Sequence, residues 1–338
     1  MPPPASPPGD PGAPGPAVRV STVVPVFNEE ASIPELHRRI VAALEGAGMD
    51  FEALYVDDGS SDGSVRVLGG IAAKDPRVVL VRLRRNYGQH AAVFAGLHES
   101  RGDTVVTLDA DLQNLPEDIP AVVKAAEEGH DVVATYRAGR RDSLFRRWAS
   151  AAINFYTARS TGVALRDYGC MLRAYRRPVV DALKGCGEIS TFIPALANTF
   201  AGSITEIPVG HAERAHGVSK YSLWKLVSLQ FDLMTGFTTF PIRLMTYFGA
   251  LVSLCSIALG VYLLWRRFGL GIEEEMGLFT LAALGFMALG VLFISVGILG
   301  EYTARIYAEV RRRPRYLVAS VVRGGEGRGA AESSPRRS

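Results

Sequence analysis

From Arg19 to Tyr136, short apolar, β-branched runs alternate with stretches whose apolar residues recur at helical spacing. The pattern predicts strands over Val20–Val26, Phe51–Asp57, Val78–Leu83, Thr104–Asp109 and Asp131–Tyr136. Between them it predicts helices over Ser32–Leu44, Ser64–Ala73, Gln89–Glu99 and Glu117–Glu128. Such a rhythm reads as a parallel sheet wrapped by helices. Ligands of these folds sit beyond the carboxyl ends of the strands, so the residues just after each strand are the first places to look for chemistry.

Farther along, Leu244–Trp265 and Leu278–Gly300 are runs of 22 and 23 residues without a formal charge. At about 1.5 Å rise per residue, either run crosses a hydrocarbon core of about 30 Å. A buried hairpin in a soluble domain is the plainer alternative, but helices this long usually carry a polar face there. The connecting loop holds Arg266 and Arg267 beside Glu273, Glu274 and Glu275. The outer flanks carry Arg243, Arg305, Arg311, Arg312, Arg313 and Arg315. The positive-inside tendency then puts both flanks, and the large domain with them, in the cytoplasm. Tyr221–Phe240 mixes apolar residues with Lys220, Lys225 and Asp232, which suits a helix lying in the membrane interface; an ordinary core helix is the alternative.

Composition agrees with that division. Of 338 residues 48% are hydrophobic, whereas a net charge of +3 and 21% charged residues do not make the strong basic field of a nucleic-acid binder. Cys170, Cys186 and Cys255 are too few and too scattered for a disulfide framework or a metal knuckle, and read as reduced structural thiols. The Pro-, Gly- and Ala-rich start and the Gly-, Ser- and charge-rich end read as disordered tails.

Three segments at predicted strand ends carry candidate chemistry. Thr107-Leu108-Asp109-Ala110-Asp111-Leu112-Gln113 holds two aspartates at i and i+2, which face the same way along extended chain. They can converge on one cation, with Gln113 as a further oxygen ligand, and such hard donors suit Mg²⁺ or Mn²⁺. A bare Asp-x-Asp is weak; its place after the fourth strand is what raises it. Val56-Asp57-Asp58-Gly59-Ser60-Ser61-Asp62-Gly63-Ser64 reads either as a turn with a helix cap or as a site whose carboxylates meet a base or ribose. Val24-Pro25-Val26-Phe27-Asn28-Glu29-Glu30 shares the ambiguity and adds an aromatic that could stack on a base. His90, His98, His130, His211 and His216 show no paired metal-ligand spacing.

These segments, with Asn86-Tyr87-Gly88-Gln89-His90, Asp167-Tyr168-Gly169-Cys170-Met171-Leu172-Arg173, Ser190-Thr191-Phe192-Ile193-Pro194, Ser219-Lys220-Tyr221 and Arg313-Pro314-Arg315-Tyr316, resemble family 2 glycosyltransferases, specifically the polyprenyl-phosphate glycosyltransferases. The likeness covers nearly all of the chain except its tails; Asn114-Leu115-Pro116 departs where a second proline is expected. It implies an α/β, Rossmann-like GT-A domain with interfacial helices and a C-terminal two-helix transmembrane hairpin. The boundaries expected are a tail over 1–17, a cytoplasmic catalytic domain over 18–218, interfacial helices over 219–241, membrane helices over 242–303, a cytoplasmic segment over 304–323 and a tail over 324–338.

The resemblance further implies an inverting transfer from a UDP-sugar to polyprenyl (undecaprenyl) phosphate at a bacterial inner membrane. For the donor, 4-deoxy-4-formamido-L-arabinose for lipid A modification is the nearest analogy; glucose, mannose and N-acetylated sugars stay open. Pro25, Phe27, Glu29, Asp57, Asp58 and Asp109 would hold the nucleotide; Asp109, Asp111 and Gln113 would manage the metal. Asp111, Asp167 and Arg137 are the candidate catalytic set, and Arg137, Arg140, Arg141, Arg173, Arg214 and Lys220 are candidates for the lipid phosphate. Asp167 is the family's natural base, yet a phosphate monoester is already largely anionic at neutral pH, so the carboxylate could instead position the acceptor or a basic side chain. Relatives imply a tetramer in which the chain from Arg315 onward reaches a neighbour. Two other readings remain: a processive synthase, for which Phe145-Arg146-Arg147-Trp148 lacks the Gln of QxxRW, and a noncatalytic membrane scaffold on a nucleotide-binding fold.

Overall fold

The computed structural model describes residues 18–137, 165, 167, 169–186, 193–210, 240–269, 277–311 and 314–325. The tail over 1–17, the end of the chain from residue 326, the interfacial segment up to residue 239, Arg140, Arg141, Arg214 and Lys220 lie outside these residues.

The β-branched runs become β1 (Val20–Val26), β2 (Phe51–Asp57) and β3 (Val78–Leu83) with the boundaries expected. Every residue of β2 is buried, because helices cover both faces of the sheet. On one side lie α1 (Ile33–Gly46), α2 (Ser64–Ala72) and α4 (Ile119–Glu127), the last entered through a 3₁₀ turn over Pro116–Asp118. Helix α1 meets the sheet with Ile33, Leu36, Ile40 and Leu44, a single apolar face at helical spacing. The opposite side is covered by α3 (Gln89–Glu99), α5 (Arg177–Gly185) and α6 (Ile193–Phe200). Helix α3 is buried from Ala91 through Leu97, and Gly96 brings it close against β1, where a Cβ would run into the Val23 side chain.

The sheet is mixed rather than parallel. Eight strands run in the order β7-β5-β6-β4-β1-β2-β3-β8, with β4 over Thr104–Thr107, β5 over Val132–Arg137, β6 over Arg173–Arg176, β7 over Ile204–Val209 and β8 over Val318–Arg323. The first four strands are mutually parallel, as are β5 and β7. Strand β6 lies antiparallel between β4 and β5, and β8 antiparallel on the outer side of β3. Strand β6, Arg-Ala-Tyr-Arg, has no apolar run to announce it. Strand β8 follows the apolar helices and pairs with β3.

Helices α7 (Phe240–Gly269) and α8 (Gly277–Val310) are 30 and 34 residues long. Their apolar windows, Leu244–Tyr262 and Gly285–Ala304, have no buried share, with Tyr247, Phe286 and Phe293 each more than two-thirds exposed. Thr246, Ser295 and Thr303 turn their hydroxyls onto carbonyls four residues back, at 2.8–2.9 Å, so these polar groups are satisfied inside the helix. Helices so long, apolar and uncovered are suited to association with a membrane.

Candidate active site

Strands β1, β2 and β4 deliver their carboxyl ends to one edge of the sheet, where an open cleft of about 400 Å³ forms. It is lined by Pro25, Phe27 and Glu29 from the first loop, Asp58 from the second, Asn86, Gly88 and Gln89 from the third, and Asp109 and Asp111 from the fourth.

The first two loops are stitched together. Asn28, with φ of 57°, accepts from the Ser61 amide at 2.8 Å through Oδ1, while its own amide donates to Ser60 Oγ at 3.0 Å. The Glu29 amide donates to Ser64 Oγ at 3.0 Å, and Glu30 receives both the Gly63 amide and the Arg66 guanidinium. Several of the hydroxyls and carboxylates that looked like turn-and-cap residues are therefore cross-links between two strand ends, while Asp62 keeps the capping role, its Oδ1 accepting from the amide of Ser64, the first residue of α2, at 3.0 Å. Asp58 faces the third loop: its carboxylate accepts from the Tyr87 and Gly88 amides at 2.7 and 2.9 Å. Burial, opposed by those two hydrogen bonds, leaves its carboxyl above the usual range. Asp57 is buried, accepts from the Ser60 amide and is absent from the cleft lining.

Strand β4 ends at Thr107, two residues before the expected boundary, so Asp109 and Asp111 are not neighbours on one face of a strand. A turn brings them together instead, with Leu112 at a φ of 62° and the Gln113 amide donating to Asp111 Oδ1 at 3.1 Å. Both aspartates line the cleft; Gln113 does not. Gln89, the first residue of α3, donates from Nε2 to Asp109 Oδ1 at 2.6 Å. Sequence reasoning passed over it, although it follows β3 as the strand-end rule requires. Among the described residues no three His, Cys, Asp or Glu side chains gather as a metal cage. Two carboxylates fit a cation that keeps water and takes its other oxygens from a phosphate, as Mg²⁺ and Mn²⁺ do.

The second half of the edge comes from β5 and the segment leading into β6. Arg137 Nε meets Asp167 Oδ2 at 2.7 Å and its Nη2 meets Oδ1 at 3.3 Å, while the Gly169 amide adds a bond to Oδ1 at 2.9 Å. Burial would lower the arginine's pKa, but the hydrogen bond and charge of Asp167 outweigh it and leave it raised. Asp167 is nearly buried. Thr107 Oγ1 and Thr135 Oγ1 tether the carbonyls of Met171 and Leu172 at 2.7 and 2.6 Å. The buried Cys170 thiol, its pKa raised by burial, is close to both Thr135 and Asn114.

Arg173 departs from the expectation that it grips a lipid phosphate. It is wholly buried and spends its guanidinium on the carbonyls of Cys170 and Asp167 at 2.9 Å each. It holds the loop that carries Asp167 from beneath.

Residues 21–184 match the family described as Glycosyl transferase family 2. The chain is 52% identical over 313 residues to a Klebsiella pneumoniae protein named undecaprenyl-phosphate 4-deoxy-4-formamido-L-arabinose transferase, covering 92% of this chain and 96% of that one. A Pseudomonas aeruginosa protein of the same name is 53% identical over 312 residues, 92% of each. The chain is a family 2 glycosyltransferase. Among solved structures, this glycosyltransferase is similar to glucosyl-3-phosphoglycerate synthase from Mycobacterium tuberculosis in complex with Mn²⁺, uridine diphosphate and phosphoglyceric acid, at 23% identity and a TM-score of 0.48 over 65% of this chain and 77% of that one. Family membership and the helix-covered mixed sheet bear out the expected GT-A class, and with it an inverting transferase.

Proposed function

We propose that this glycosyltransferase moves a sugar, 4-deoxy-4-formamido-L-arabinose by analogy with its named relatives, from UDP to undecaprenyl phosphate at the cytoplasmic face of the membrane. The observation that carries the reading is the shared edge: the Asp109–Asp111 cleft and the Arg137–Asp167 pair lie on one side of one sheet in a chain that also bears two uncovered apolar helices.

Phe27, half exposed at the mouth of the cleft, offers a face for the uracil, with Pro25 and Glu29 beside it. Asp58 keeps that wall in shape through the Tyr87 and Gly88 amides. Asp109 and Asp111 would hold Mg²⁺ or Mn²⁺, which when bound neutralises charge on the diphosphate. Arg137 uses two of its five N–H donors on Asp167, which leaves others for a phosphate. Arg140, Arg141, Arg214 and Lys220 supply further candidate cations from their places in the sequence.

An oxygen of the lipid phosphate attacks the anomeric carbon from the face opposite UDP. The new C–O bond forms as the bond to the β-phosphate oxygen breaks, its electron pair leaves with UDP, and the configuration inverts. The second pKa of a phosphate monoester is near 6, so the nucleophile arrives ionised at neutral pH and no proton need be removed. Asp167, already committed to Arg137 and the Gly169 amide, acts in this reading by aiming Arg137 rather than as a base.

In chain order the hairpin stands between β7 and β8, two strands of the same sheet, and β8 pairs with β3. That geometry supports a domain and two helix ends on one side of the bilayer, and the arginine-rich flanks favour the cytoplasm. The test is to incubate the purified chain with undecaprenyl phosphate, Mn²⁺ and a panel of UDP-sugars. UDP release with the formamido sugar is expected; no release with any sugar overturns the proposal.

A further inference from the structure

Residues 315–323 are fastened to the second half of α3. The Arg315 guanidinium lies 4.5 Å from the centre of the Phe94 ring, midway along α3, and donates from Nη2 to the Cys186 carbonyl at 2.9 Å. Tyr316 stacks edge-on against His98 with centroids 6.4 Å apart and joins the core cluster that contains Ala92–Leu97. Arg323, the last residue of β8, pairs with Glu99, the last residue of α3, at 3.0 Å. Between these points the Arg84 amide donates to the Leu317 carbonyl at 2.9 Å and β8 runs antiparallel to β3.

Helix α3 has its other end in the cleft, where Gln89 donates to Asp109 Oδ1. A helix is stiff over three turns, so its position at Phe94 and Glu99 sets where its first residue stands. We propose that the strap over residues 314–323 is a positioning element for the donor cleft: by clamping α3 at Phe94 and Glu99 it holds Gln89 against Asp109, and so couples the membrane helix α8 to the metal-binding carboxylates. The clamped residues Phe94 and Glu99 stand outside the cleft lining. The inference rests on the reading of Asp109 and Asp111 as metal ligands.

The experiment is a titration of UDP into the full chain in detergent, with and without Mn²⁺, for the parent, Arg315→Ala, Gln89→Ala and the double variant. Binding by the parent that strengthens with Mn²⁺ tests the underlying reading; its absence overturns that reading and the strap with it. Given that binding, Arg315→Ala and Gln89→Ala should each weaken the Mn²⁺-dependent affinity about fivefold, the size expected of one hydrogen bond, and leave metal-free binding unchanged. The double variant should lose no more than Gln89→Ala alone, because both act through one contact. A merely structural strap would lower the melting temperature without that non-additivity. Additive losses, or an unchanged affinity in Arg315→Ala, overturn the proposal. Should Arg315→Ala fail to fold, Phe94→Leu keeps the core filled while removing the ring face, and undiminished Mn²⁺-dependent affinity there overturns it equally.

Discussion

The two halves of the site are built on different physics. On the donor side, Asn28, Glu29, Glu30, Asp58, Ser60, Ser61 and Ser64 spend their polar atoms largely on backbone amides and hydroxyls of neighbouring loops. On the acceptor side, one nearly buried carboxylate meets one half-buried guanidinium, and a fully buried arginine supports the loop from below. Cross-linked loop contacts are individually modest and collectively redundant, whereas removing one partner of a buried ion pair leaves the other uncompensated. The donor half should therefore tolerate single losses that the acceptor half does not, except at Asp109 and Asp111, the proposed metal ligands.

The largest effect is expected at that exception. Asp111→Asn should lower the rate of UDP release by about 10³-fold, as removal of transition-state electrostatics does, with an unchanged melting temperature. Next, Asp167→Asn should lower turnover by about 10²-fold and leave UDP affinity within about twofold, since its work is confined to the acceptor half. Near-normal rates across neutral pH would remove both the base and the positioning roles.

Acid sensitivity should fall on the donor half, where His37, His90 and His98 all have pKa values lowered by burial, His90 to about 4. Such groups are neutral in the folded state, so stability is complete above their unfolded pKa of 6.5 and is lost as pH falls below it, when the unfolded chain takes up protons first. Melting temperatures measured from pH 7 down to 4 should decline, and His90→Gln should remove a share on the order of 2 kcal/mol. The smallest effect is expected of Ser64→Ala, which deletes one loop-to-loop bond: UDP affinity should weaken by about threefold and the KM for lipid phosphate should not move.

Much of the donor half was legible because its strands are apolar runs closed by polar loops. Val20–Val26, Phe51–Asp57, Val78–Leu83 and Gln89–Glu99 have the expected bounds, and Pro25, Phe27, Glu29, Asp58, Asp109 and Asp111 meet in one cleft. What escaped was set by tertiary contacts. The pairing of Arg137 with Asp167 across 30 positions, the burial of Arg173 and the contact of Gln89 with Asp109 have no local signature, since an arginine in sequence looks the same under a loop as on a surface. Strand direction was equally hidden. A four-residue Arg-Ala-Tyr-Arg strand declares neither its presence nor its antiparallel sense, and β8 is separated from its partner by two membrane-length helices.

The inserted strand β6 also works as a spacer. With β4 and β5 flanking it in the same direction, two strand separations, about 10 Å, stand between the paired parts of the strands that lead to Asp109 and to Arg137. That gap is about the width of a single pyranose with a phosphate beside it. In the proposed reaction the weave of the sheet would thus set the leaving diphosphate and the incoming headgroup about one sugar apart, before any pocket residue has a say.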